Sequence, residues 1–264
     1  MGSVYHVRDL LLDRPVALKV PNFNLDDDPQ SLERFYREAR SAARLHHPNL
    51  CPVFDVGRID GIVYFTMPLI EGQSLATIIS RPNPPHVSWG LTCVRQIALA
   101  LSAAHHEGVI HRDLKPSNIM INARDEPIVM DFGLARSING EDARLTKPGS
   151  ILGTPAYMSP EQVKGDLESV NETTDIYSLG VILYELLTGK QPFTGGSIGE
   201  VMGRILYVEP EPLASLQPQL DPAIAKLCGK ALAKKSIDRF QTMNHLASEL
   251  TRIIEKLDGP GGVG

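Results

Sequence analysis

The chain has 264 residues, enough for one large or two modest domains with cores of their own. Its 42% apolar and 22% charged content is ordinary for a globular protein in water, and a formal net charge of −5 argues against nucleic acid as the main partner. Cys51, Cys93 and Cys228 lack metal-ligand spacing and read as reduced, packed thiols; the first residues do not read as a signal peptide, and the longest apolar run, 176–187, is too short to cross a bilayer.

Residues 1–7 and 15–20 alternate apolar with polar side chains and predict two strands around a loop. Asp28 as N-cap and Pro29 at the first helical position open a helix whose stripe, Leu32, Phe35, Ala39 and Ala42, continues to about Leu45. His46 and His47 before Pro48 read as a helix end and not as metal ligands. Residues 53–56 and 62–67 predict further strands, separated by Gly57 and the Asp60-Gly61 turn. From Gly72 the period changes from strands to helices, with a surface loop at 82–85. Ser88 is the expected cap of a helix striped by Val94, Ile97, Leu101 and Ala104 and ended by Gly108, with Trp89 as a packing residue. Thr174-Asp175 is the expected cap of residues 176–187, a helix apolar almost all round that stops at Gly189 and belongs in a core. Helices follow to about Leu257, then a flexible Gly/Pro tail at 259–264.

The stretch 111–133, HRDLKPSNIMINARDEPIVMDFG, is the centre of the chain. Residues 119–121 and 128–130 predict a hairpin turning at 123–126, which sets Asn118 at its start beside Asp131 at its end. An amide oxygen and a carboxylate held together are hard ligands suited to magnesium carrying a polyphosphate. Asp113, just ahead, is free to act as a base or orienting group.

HRDLKPSN followed by DFG at this spacing resembles the catalytic loop and metal-binding motif of protein kinases. Val16-Ala17-Leu18-Lys19 is similar to the kinase strand whose lysine contacts the α- and β-phosphates, and Glu38 takes the place of the helix glutamate that pairs with it. The resemblance implies Asp113 as catalytic base, Lys115 on the γ-phosphate, and Asn118 and Asp131 on Mg2+. It makes Met67 the gatekeeper, with adenine held by the Pro68 carbonyl and the backbone of Ile70, over Met120 and under Val4 and Ala17. Gly2 matches the third glycine of the glycine-rich loop, so the chain starts inside that motif. Met1 is then expected to be an internal methionine of a longer domain or a misassigned start, with one edge strand and part of the phosphate lid lost.

GTPAYMSPE, at 153–161, resembles the kinase substrate-docking segment, with Ser159 in place of the usual alanine and Thr154 bonded to Asp113 and Lys115. Thr146 and Ser150 are candidate phosphorylation sites, with Arg34, Arg112 and Arg136 to receive the phosphate. Asp175 is expected on the catalytic-loop backbone, and Arg239 on Glu161.

These resemblances imply an α+β, two-lobed kinase-like fold: a small β-rich lobe over 1–70 and a larger helical lobe over 71–258. The implied protein is a bacterial-type serine/threonine protein kinase of the cytoplasm, or the cytoplasmic part of a membrane-anchored chain. It would use ATP and Mg2+, act on Ser or Thr hydroxyls of proteins, and self-associate for trans-autophosphorylation. The alternatives are a nucleotide-binding pseudokinase or scaffold, and a small-molecule kinase of related fold. Intact Lys19, Asp113 and Asp131 argue against the first, and the peptide-docking segment argues against the second.

Overall fold

A computed structural model describes residues 3–20, 29–83, 85–132 and 155–258. Strands β1 (Ser3–Asp9), β2 (Arg14–Val20), β3 (Asp55–Ile59) and β4 (Ile62–Pro68) form an antiparallel sheet in the order β1-β2-β4-β3. Helix α1 (Pro29–Ala43) begins at the expected proline and buries Ala39 against Phe65 and Met67 of this sheet. A second sheet joins β5 (Gly72–Ser74), β6 (Ile119–Asn122) and β7 (Pro127–Val129). Around it stand α2 (Leu75–Ile79), α3 (Val87–His106), α4 (Pro160–Lys164), α5 (Glu172–Thr188), α6 (Ile198–Tyr207), α7 (Leu213–Leu216), α8 (Pro222–Ala231) and α9 (Met243–Asp258).

The hairpin of the first sheet closes where Asp60 and Gly61 both take positive φ, the twist that a two-residue turn requires. Gly57 does not separate strands as the sequence suggested. It lies inside β3 opposite Tyr64, whose hydroxyl oxygen would stand 2.5 Å from an added Cβ, so any larger residue there would require the Tyr64 ring to move. Strand β3 also starts later than expected, at Asp55 and not at residue 53. Up to Cys51 the chain is committed elsewhere: the Cys51 amide donates to the Val129 carbonyl (2.9 Å), the Val129 amide to the Asn49 carbonyl (2.8 Å), and the Asn49 side-chain amide to the Pro127 carbonyl (2.8 Å). The connection after α1 is thus stitched to β7, and the backbone joins β4 only with the Phe54 amide.

Helix α5 is buried on nearly every side, as its composition predicted, and stops at Gly189 with φ +69°. Its cap is Asn171, which accepts from the Thr173 amide, instead of Thr174-Asp175. Those two lie within the first turn with their side chains engaged by other parts of the fold. Helix α3 is capped by His86, whose Nδ1 accepts from the Ser88 amide, and not by Ser88 itself. Although α3 is long and apolar enough to span a bilayer, its apolar stripe is used inside the protein, against α5 and α9. Leu91, Ile97, Leu101, Leu114, Ile119 and Ile176 are fully buried there, and each such side chain stabilises the fold by roughly 1.5–3 kcal/mol.

Candidate active site

Arg112, ahead of Asp113, has φ +64°, a left-handed conformation that side chains with a Cβ disfavour. It is held there by Asp175, which lies inside α5 and is fully buried. Its carboxylate accepts from the amides of His111 (2.8 Å) and Arg112 (2.9 Å), and from the His105 Nε2–H (2.8 Å). His111 is buried, with Nε2 against the Met130 carbonyl (2.8 Å) and Nδ1 facing the Asp113 amide (3.3 Å). A carbonyl only accepts and an amide only donates, so the ring carries its proton on Nε2. Its ring lies tilted by 53° against Phe132, at 4.8 Å between centroids, tying the HRD segment to the DFG segment.

The side chains after this bend converge. Lys115 Nζ lies 2.7 Å from Asp113 Oδ2, and Asn118 Nδ2 donates to the Asp113 carbonyl (2.8 Å) and to Oδ2 (3.3 Å). With Nδ2 committed, Asn118 keeps Oδ1 for another partner. The β6–β7 register, Ile119 opposite Val129, and the bond from the Met130 amide to the Asn118 carbonyl (2.8 Å) set Asn118 and Asp131 side by side, as the hairpin predicted. Asp131 is also left-handed, with φ +61°.

From the other sheet, Lys19 Nζ reaches 2.5 Å from Asp131 Oδ1. The contact is ionic and not an aligned hydrogen bond: Oδ1 is buried and accepts none among the described residues. In the antiparallel register Val4 is opposite Lys19, Ala17 opposite Met67 and Lys19 opposite Phe65. Val4, Ala17, Lys19 and Met67 therefore share one face of the sheet, where Ala17 and Met67 are buried and Met130 packs against them. Pro68 ends β4 opposite Val16, Ile70 follows half-buried, and Met120 is half-buried on β6. Burial, aided by the Asp131 charge, pushes the nearby Cys51 thiol up to about 12, and burial does the same to Cys93 and Cys228, so none is a nucleophile at neutral pH.

Asp131 and Asn118 offer one carboxylate and one amide oxygen side by side, with Asp131 Oδ1 facing the Lys19 ammonium and accepting no hydrogen bond among the described residues. That fits a small divalent ion that fills its sphere with water and phosphate oxygens. Among the described residues no group of three or more His, Cys, Asp or Glu could form an all-protein cage.

Beyond the loop, Tyr157 donates to Glu185 on α5 (2.7 Å) and accepts from Gln191 (3.0 Å). Burial raises the Glu185 carboxyl above its ordinary range, and these bonds only partly offset it. Glu161 and Arg239 form the expected pair, bidentate at 2.8 Å twice and almost wholly buried. Gly2, Thr146, Ser150, Arg136 and Thr154 lie outside the described residues, as do the side chains of Arg34 and Glu38. His105 was missed in the sequence, yet it continues the buried spacing of Ile97 and Leu101, where a polar residue signals a specific partner.

The chain matches the family described as "Protein kinase domain" over residues 1–251. It is 38% identical to serine/threonine-protein kinase PknB of Mycobacterium tuberculosis over 257 residues, 96% of this chain and 41% of that protein. It is 36% identical to serine/threonine-protein kinase PrkC of Bacillus subtilis over 250 residues, 95% of this chain and 38% of that protein. The chain thus spans less than half the length of these curated relatives. The crystal structure of the Mycobacterium tuberculosis PknI kinase domain superposes with a TM-score of 0.75 at 28% identity, over 96% of this chain and 91% of that one. The sequence and the two-lobed fold both make this chain a member of the protein kinase domain family.

Proposed function

We propose that the protein is a serine/threonine protein kinase that moves the γ-phosphoryl group of ATP to a Ser or Thr hydroxyl. The observation that carries this reading is the convergence of Lys115 and Asn118 on Asp113, beside the Lys19–Asp131 pair. In it Asp113 Oδ2 accepts the hydroxyl proton as the oxygen–phosphorus bond forms and the bond to the β-phosphate breaks. Lys115, 2.7 Å from that oxygen, orients the carboxylate and neutralises charge growing on the phosphoryl oxygens. Lys19 holds the α- and β-phosphates, and Glu38 is its proposed partner. Val4, Ala17, Met67 and Met120 enclose the adenine, whose edge is read by the backbone of Pro68 and Ile70. Gly2 belongs to the phosphate lid, and Thr154 selects the hydroxyl.

Asn118 and Asp131 would hold Mg2+, which when bound supplies positive charge to the phosphate oxygens. The division into lobes at 70/71 is supported by sheet membership, since β4 ends at Pro68 in one sheet and β5 starts at Gly72 in the other. Use of ATP favours the cytoplasm, or the cytoplasmic side of a longer anchored chain. Proteins are the proposed substrates, and another copy of the chain is one of them.

The test is intact-mass measurement after incubation with ATP and Mg2+, with Asp113→Asn as control and a generic protein substrate added. Phosphate added to protein by the wild type and absent with Asp113→Asn is the expected result. Equal transfer by both would remove Asp113 from the chemistry, and ATP binding without transfer by either would indicate a pseudokinase.

A further inference from the structure

The peptide joining Arg112 to Asp113 is held from a direction that the catalytic loop does not itself provide. Its carbonyl, the Arg112 oxygen, accepts a 2.7 Å hydrogen bond from Nε2 of Gln162, on α4 and 50 residues away in sequence. The same side chain closes a capping box: its Oε1 accepts from the Ser159 amide (3.0 Å), while the Ser159 hydroxyl accepts from the Gln162 amide (3.4 Å). These partners fix the amide orientation, because exchanging oxygen and nitrogen would set donor against donor and acceptor against acceptor. The platform is rigid, since the adjacent Glu161 is anchored in the core by Arg239 and Thr174.

We infer that Gln162 is a positioning residue for Asp113, clamping the left-handed Arg112 backbone at its carbonyl while Asp175 holds its amide. Asp175 takes the Arg112 amide at 2.9 Å and Gln162 the Arg112 carbonyl at 2.7 Å. Between these two restraints, a residue with φ +64° has its flanking peptide planes set, and the second plane carries the amide of Asp113. Ser159, which stands where the family has alanine, acts through Gln162 by holding its rotamer. The end of the docking segment is thereby coupled to the carboxylate that receives the proton.

This inference rests on the kinase reading of Asp113, and its test separates the two. Gln162→Glu keeps an oxygen for the Ser159 amide and so keeps the cap, but it sets a carboxylate oxygen against the Arg112 carbonyl. Gln162→Lys restores a donor towards that carbonyl but leaves the Ser159 amide without its acceptor, so that only the Ser159 hydroxyl's half of the capping box remains. The expected results are opposite. Gln162→Glu melts like the wild type yet loses about tenfold to a hundredfold in kcat with KM for ATP unchanged, as for a misplaced catalytic group. Gln162→Lys melts lower and retains kcat.

Hydrogen exchange of a peptide spanning residues 109–117 gives a readout independent of turnover. Exchange there should rise in Gln162→Glu and not in Gln162→Lys. Unchanged exchange in Gln162→Glu, or kcat that simply follows melting temperature across both variants, would overturn the positioning role. Absence of transfer in the wild type would instead remove the kinase reading, with the exchange result still deciding whether Gln162 restrains the loop.

Discussion

Arg239 donates all five of its N–H groups inside the protein. Nε goes to the Ala233 carbonyl (2.8 Å), Nη1 to Glu161 (2.8 Å) and the Thr173 carbonyl (3.0 Å), and Nη2 to Glu161 (2.8 Å) and the Lys234 carbonyl (3.1 Å). Arg239→Met keeps much of the volume but leaves the Glu161 carboxylate buried with Thr174 as its remaining side-chain donor. Breaking a buried pair from one side destabilises by about 3–5 kcal/mol. A chain of this size loses about 2–4 °C in Tm per kcal/mol, so the variant should melt about 6–20 °C below the wild type. Replacing both partners by apolar residues removes the stranded charge, so Glu161→Leu/Arg239→Met should recover a large part of the loss.

The effect has a defined pH dependence. Burial alone pushes the Glu161 carboxyl up, but the hydrogen bond and charge of Arg239 more than reverse this and leave it below the ordinary range. A depressed carboxylate contributes stability that is complete above its unfolded pKa, about 4.3, and is lost as pH falls through the folded value. The difference between wild type and Arg239→Met should therefore shrink in acid. Thermal melts of the wild type, both single variants and the double variant, at neutral and acid pH, measure it. A melting temperature for Arg239→Met within about 2 °C of the wild type would refute the reasoning, as would additivity in the double variant.

Two further predictions concern backbone control. Asp175→Asn turns one acceptor of the His105, His111 and Arg112 donors into a donor, so it should lower stability by about 1–3 kcal/mol and reduce kcat more than it raises KM; denaturant melts and steady-state kinetics check both. At Gly72, opposite Asn122 in the β5–β6 pairing, an added Cβ would run into the Ile121 carbonyl. Gly72→Ala should destabilise by about 1–3 kcal/mol by overpacking, read as a lower denaturation midpoint with an unchanged slope.

What the sequence made legible was local. The β6–β7 hairpin followed from two short apolar runs around a polar turn, and the neighbourhood of Asn118 and Asp131 followed from the hairpin. The α5 core helix and its end at Gly189 were readable from composition and one glycine. Cap identity was not, because several side chains within a turn have the same local chemistry and remote partners decide among them. Thr174 and Asp175 are claimed by Glu161 and by the catalytic loop, which leaves capping to Asn171. The late start of β3 escaped for a similar reason, since residues 49–51 bond to β7 before the chain turns to β4. The Arg239–Glu161 and Asp175 contacts were expected through family resemblance, while the Gln162 clamp joins two segments that nothing in local pattern connects.

The stitch of Asn49 and Cys51 onto β7 has a mechanical consequence. The first sheet and α1 are attached to the rest of the chain at two places: one covalent crossing, residues 68–72, and the α1–β3 connection, residues 44–54, which three hydrogen bonds pin to β7. A body attached at two points has one easy motion, rotation about the line between them. Swinging about that line would vary the separation of Lys19 and Asp131 while Asn49 and Cys51 stay on β7. The backbone thus acts as an axle, and the Lys19–Asp131 distance as the gauge of how far the small lobe has turned.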